Sequence, residues 1–182
     1  TARDLYTKVS QAYPILMTRS IESAKAWVRE QAKGTQRYGI VASSGAKRLK
    51  KYSVWVQSKV DAVQWFLNNN NDVRSSYFLE DTATEFDIQG LELDWTIVCW
   101  DANLRIGSHG LEYYTFRGSR WMNIHKAEDR KYLKNAYRVL LTRARQGFII
   151  FIPYGDNSDE TRQEIYYDGV YHYLKQIGIE EI

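Results

Sequence analysis

Two short stretches hold the residues whose types and spacing can do chemistry. The first is Thr84-Glu85-Phe86-Asp87-Ile88-Gln89-Gly90-Leu91-Glu92-Leu93-Asp94, which runs directly into the apolar stretch Trp95–Trp100. Gly90 permits a tight turn or a close backbone approach. Glu92, two residues on, offers a pair of acceptor oxygens to hydroxyl groups, and Thr84 offers a hydroxyl to a phosphate oxygen. The second stretch, Asn135–Arg145, reads NAYRVLLTRAR and precedes the apolar run FIIFI. Arg143 suits a phosphate partner, because a guanidinium is permanently charged and its donors form a fork that matches phosphate oxygens. A third segment, YGIVASSGAKR, ends in a polar loop that carries Ser43, Ser44, Lys47 and Arg48. Each has a plainer reading. Gln89–Glu92 can be a simple connection into a strand. The loop after Ala42 can be a solvated turn. Arg138, Arg143 and Arg145 can be basic residues at a helix C-terminus, where the macrodipole favours them.

Other chemistries are not spelled out. No G-x-x-x-x-G-K-[ST] phosphate-cradling loop occurs. The histidines, His109, His125 and His172, are scattered without metal-ligand spacing. No Ser or Cys nucleophile comes with an identifiable base. Asp101 follows an apolar run, as a Mg²⁺-holding aspartate would, but without a phosphate loop it reads as a strand-end residue that caps the next turn.

The elements that must position these groups alternate between strand and helix. Pro14–Thr18, Tyr38–Ala42, Trp95–Trp100 and Phe148–Ile152 read as buried strands, the third of them central. Ser20 caps a helix with Ile21, Ala24, Trp27 and Val28 on one face and Gly34 at its end. Ser58 and Asp61 form a capping-box pattern before Val60, Val63, Phe66 and Leu67, and Asn68–Asn71 closes that helix as a loop. Ala127–Arg145 reads as the longest helix and Tyr166–Gln176 as the last. Residues 102–124 form an irregular or hairpin insertion around Tyr113–Phe116. Strands joined by crossover helices imply an α/β fold: a mostly parallel sheet flanked by helices in three layers, with ligands expected at the carboxyl ends of the strands.

The 182 residues fit one domain, 1–182, and hydrophobic and charged fractions of 44% and 26% are those of an ordinary globular chain. The single cysteine, Cys99, excludes a disulfide framework and a zinc site and points to a reducing, cytoplasmic setting. No apolar run is long enough for a membrane span. The net charge of +3 is unevenly spread. Residues 1–50 hold ten Lys/Arg against three Asp/Glu, and residues 101–150 ten against four, so two basic blocks can form one phosphate-facing surface if the fold unites them.

The two stretches resemble motifs V and VI of superfamily-1 helicases: Thr84, four residues, Gln89-Gly90-Leu91-Glu92, then a strand; and Tyr137 with apolar residues running into Thr142-Arg143-Ala144 before the next strand. Phe86 stands where the motif usually has His. The phrases RYGIVASSGAKRL, EFDIQGLELDW, FRGSRW and NAYRVLLTRARQGFIIFIP resemble, from Tyr13 to Gly178, the C-terminal part of a bacterial P-loop family described as DNA/RNA helicase domain-containing and related to the helicase-like region of Schlafen proteins. The resemblance implies a second RecA-like lobe of a longer polypeptide whose N-terminal lobe carries the Walker motifs. It implies that ATP or GTP, with Mg²⁺, binds between the lobes. Gln89, Gly90 and Glu92 would lie on its ribose side, with Arg143 on the γ-phosphate. It implies a single-stranded DNA or RNA partner at Ser43, Ser44, Lys47, Arg48 and Thr84. The fragment is then inactive alone. The alternative is a non-enzymatic nucleic-acid or protein-binding module on a degenerate RecA-like fold.

Overall fold

A computed structural model describes the chain from Thr1 to Ile182. Helix α1 (Ala2–Ser10) opens it, held by a capping box in which Thr1 and Asp4 satisfy each other's backbone ends. Strand β1 (Ile15–Thr18) leads into α2 (Ile21–Gln31), whose N-cap is Ser20. Strand β2 (Tyr38–Ala42) is followed by irregular chain and the short α3 (Ala62–Leu67). The two-residue β3 (Thr82–Ala83) precedes β4 (Leu93–Cys99). An antiparallel unit, β5 (Leu104–Gly107), β6 (Gly110–Arg117) and β7 (Arg120–Asn123), precedes α4 (Ala127–Leu141). Strand β8 (Ala144–Phe151), α5 (Ile165–Gln176) and β9 (Glu180–Glu181) complete the chain.

The main sheet has six strands in the order β3-β2-β4-β8-β1-β9, and every pairing is parallel. Its central strands are continuous apolar runs because both faces are covered, and alternate side chains enter different cores. Ile97, Cys99, Ile149 and Phe151 pack with Ala24, Trp27 and Val28 of α2. Val98, Phe148 and Ile150 pack on the other face with Leu133, Tyr137 and Leu140 of α4 and Val170 and Leu174 of α5. This is a three-layer α/β architecture of RecA-like type. No helix is long and apolar enough to cross a membrane.

Three expectations need correction. The N-cap of α3 is Asp61, whose carboxylate accepts from the Val63 and Gln64 N–H groups, and Ser58 is not part of it. That helix buries Trp65, while Val63 and Leu67 stand exposed. The aromatic ring removes more apolar surface from water than either aliphatic residue, and this sets the helix's rotation. Helix α4 ends at Leu141, with Thr142 as its C-cap, so Arg143 lies in the connection and Arg145 on β8. Pairing of Leu93 with Ala144 pulls that segment into the sheet. Residues 102–124 are the hairpin unit, docked through β5 against α5.

Candidate functional site

The parallel sheet has two ends, and the candidate residues divide between them. At the amino ends of the strands, β4 and β8 begin side by side: the Leu93 N–H donates to the Arg143 carbonyl at 3.0 Å. This brings Gln89, Gly90 and Glu92, all exposed, onto one rim with the half-buried Arg143, at the amino ends of the strands and not at the carboxyl ends where ligands are expected, because both segments enter their strands rather than leave them. Gly90 has φ +76°, and nothing lies within 4 Å of where a side chain would begin. Glycine is there for its backbone conformation, not for lack of space.

The electrostatics of the rim separate its two arginines. Asp94 accepts from the Arg37 backbone N–H at 2.7 Å and from the Arg145 guanidinium at 2.9 Å, so Arg145 is committed to an ion pair. The Arg143 Nε donates to the Val139 carbonyl at 3.3 Å, the contact expected of a basic residue behind a helix C-terminus. Its two terminal nitrogens have no hydrogen-bond or ion-pair partner, and neither does the Glu92 carboxylate. The Tyr13 hydroxyl donates to the Ala144 carbonyl at 2.7 Å, and burial pushes this phenol up to about 12.

The segment 84–92 crosses from one end of the sheet to the other. It leaves β3 at the carboxyl edge, buries Ile88 in the core, and enters β4 at the amino rim. At the carboxyl edge the Thr84 N–H and hydroxyl both donate to Asp87 at 2.7 Å, so this hydroxyl already has a protein partner. The buried Glu85 accepts from the Ser44 N–H at 2.7 Å and its hydroxyl at 2.6 Å. Ser43 is buried and accepts from Asn103 Nδ2 at 3.1 Å; Asn103 Oδ1 accepts from the Tyr137 hydroxyl at 2.6 Å. Arg48 is tied down by Thr161 at 2.7 Å and Asp159 at 3.2 Å, whereas the Lys47 side chain is exposed. Ser43, Ser44 and Thr84 are therefore together, with Lys47 and Arg48 following on the same loop, and all lie at the end opposite Gln89, Gly90, Glu92 and Arg143.

Asp101 anchors this edge. It is fully buried at the end of β4, and its carboxylate accepts from the Arg48 N–H at 2.9 Å, the Ala102 N–H at 2.8 Å and the Tyr167 hydroxyl at 3.0 Å. Burial pushes its pKa above the ordinary carboxylate range, and the three donors pull the other way. It fastens the 43–48 loop and α5 to the strand. No group of three His, Cys, Asp or Glu residues stands close enough together to hold a metal ion.

Above the Ser43–Asn103 floor lies a cleft of about 640 Å³, walled by β6, β7 and the start of α4. Tyr114, Arg117, His125, Lys126 and Tyr132 line it, and none of them is a site candidate on sequence grounds. Their only local signal is a basic pair immediately before a long helix. Their convergence depends on how the hairpin folds back over the edge of the sheet.

A family model described as "Schlafen group 3, DNA/RNA helicase domain" matches residues 1–154. No curated protein and no solved structure matches the chain.

Proposed function

The chain belongs to the Schlafen group 3 DNA/RNA helicase domain family, and from that premise we propose that it is the second RecA-like lobe of a superfamily-1-type, ATP-dependent helicase or translocase. In this reading the companion lobe lies N-terminal in the same polypeptide, as in the bacterial P-loop family the sequence resembles, and a nucleotide sits between the two. Glu92 and the backbone at Gly90 hold the ribose side. Gln89 couples that side to the nucleic-acid edge through the segment that runs to Thr84. Arg143 places its positive charge against the γ-phosphate as negative charge shifts during transfer.

The observation that carries this is the 3.0 Å bond between Leu93 and Arg143. It sets a free carboxylate and a guanidinium with free terminal nitrogens on one rim, facing outward. ATP or GTP fits that donor and acceptor set as half a site. Mg²⁺ falls to the companion lobe, since on this rim the chain offers one unpaired carboxylate. Single-stranded DNA or RNA follows the opposite edge, where Ser43, Ser44, Lys47, Arg48 and Thr84 gather. A buried, unpaired Cys99 suits a cytoplasmic setting.

The test is Arg143→Ala in the polypeptide that carries both lobes. Turnover of ATP falls by about 10³–10⁵, the range of a trans-acting arginine, while the nucleotide dissociation constant stays within a few-fold. Unchanged turnover removes Arg143 from the chemistry.

A further inference from the structure

We propose that the cleft between the Ser43–Asn103 floor and the β6–β7 hairpin is the seat of one nucleotide unit of a single strand, with its base on Tyr132 and its phosphate at Lys126, His125 and Arg117. The proposal rests on the reading of this edge as the nucleic-acid side and adds the residues that read the strand. At about 640 Å³ the cleft is within the ~300–1,000 Å³ range of small-molecule sites, so it has room for a base and a sugar-phosphate.

Aromatic surface is presented at its mouth. Tyr132 and Phe86 stack at 6.2 Å between centroids and 29° between planes, yet they remain 50% and 55% exposed. Two exposed stacked rings leave a face open to a third ring, and base stacking on such a platform tolerates any sequence. Phe86 also sits beside Glu85, which joins the loop to β3. The departure from the usual His in this segment thus supplies a stacking surface in place of a polar one.

Positive charge gathers along the hairpin and at the start of α4, the helix that also carries Tyr132. Arg117, His125 and Lys126 line the cleft, and none has a hydrogen-bond or ion-pair partner, although most arginines of this edge are paired. Lys126 is also the N-cap of α4 and makes no side-chain cap, so the first N–H groups of that fifteen-residue helix stay open on the same wall. The carboxylates of Glu85 and Asp129 also line the cleft. They offer acceptors to amino groups on a base edge. The floor is preorganised: Ser43, Asn103 and Tyr137 form a buried hydrogen-bonded chain.

A free mononucleotide has the same chemistry as a nucleotide of a strand, so the experiment separates them. Fluorescence anisotropy of a dye-labelled single-stranded oligonucleotide is titrated with this domain over a range of salt, with AMP and UMP as competitors. Tyr132→Ala, at an exposed position, weakens strand binding roughly 5- to 150-fold, the loss of one base stack. Lys126→Ala lowers the slope of log affinity against log salt by about 0.7, one phosphate contact on a single strand. Lys8→Ala on α1 changes neither. Strand binding that is indifferent to Tyr132→Ala and Lys126→Ala overturns the cleft and leaves the helicase reading standing. Free nucleotide binding as tightly as the strand, with the same losses, overturns the assignment to a strand. Absence of strand binding also overturns the cleft, while turnover of the Arg143→Ala variant judges the helicase reading independently.

Discussion

Replacing Asp101 by alanine tests the account of how the carboxyl edge is held together. The fully buried carboxylate serves three donors: the Arg48 and Ala102 N–H groups and the Tyr167 hydroxyl. A buried donor left without an acceptor costs roughly 1–3 kcal/mol. The Tyr167 hydroxyl can turn, which leaves two stranded amides and a cost of about 2–6 kcal/mol. Removing a desolvated carboxylate offsets part of this, and a net loss of about 3 kcal/mol is expected. With a urea slope of ~2 kcal/mol/M, the unfolding midpoint falls by about 1.5 M. Asp101→Asn separates hydrogen bonding from charge. Its amide oxygen still serves Ala102 and Tyr167, but its NH₂ faces the Arg48 N–H, so a smaller loss of ~1–2 kcal/mol follows. The pH dependence has a definite sign. Because the folded pKa is raised, the folded state holds a proton where the unfolded chain has released it. Stability from this group is full below the ordinary value of 3.8 and declines as pH rises through the raised folded value. Asp101→Asn removes that decline. An unchanged midpoint in Asp101→Ala, or equal losses for Ala and Asn, would refute the reasoning.

Two further outcomes follow from the packing. A methyl group at Gly169 of α5 would collide with the Ile106 backbone carbonyl of β5, so Gly169→Ala pushes the hairpin off the helix. It lowers stability by about 1–3 kcal/mol, read as a drop in Tm, and a Tm within a degree of the parent would show that the hairpin is not held there. Tyr13→Phe removes the bond to the Ala144 carbonyl, a loss of about 1 kcal/mol in urea unfolding. The parent phenol stays protonated in the folded state up to about 12 while the unfolded chain ionises near 10. Parent stability therefore falls as pH rises through that window, and Tyr13→Phe flattens this part of the profile.

Local chemistry alone was enough to place most of the main elements. Short apolar runs rich in β-branched and aromatic residues favour a strand buried on both faces, and YGIVA, WTIVCW and FIIFI became three adjacent strands of one sheet. Ser20 and the 3.6-residue spacing of Ala24, Trp27 and Val28 likewise sufficed for α2. The peptide 84–94 and Arg143 could be picked out by residue type, since a turn glycine, a carboxylate and a guanidinium are local properties. Pairing energies were not local. The two-residue β3 and β9 have no pattern of their own and exist because a neighbouring strand offers hydrogen bonds. The end of α4 falls at Leu141 because sheet pairing at Ala144 outweighs about one more turn of helix. The division of the candidate residues between two ends of the sheet belongs to the same class, as does the partner each charge found: Arg145 took Asp94, Arg48 took Asp159 and Thr161, and Arg143 kept its terminal nitrogens free. Residue identity states what a group can do. Which groups are already satisfied, and which still face outward, depends on neighbours distant in the chain, and only the tertiary structure supplies them.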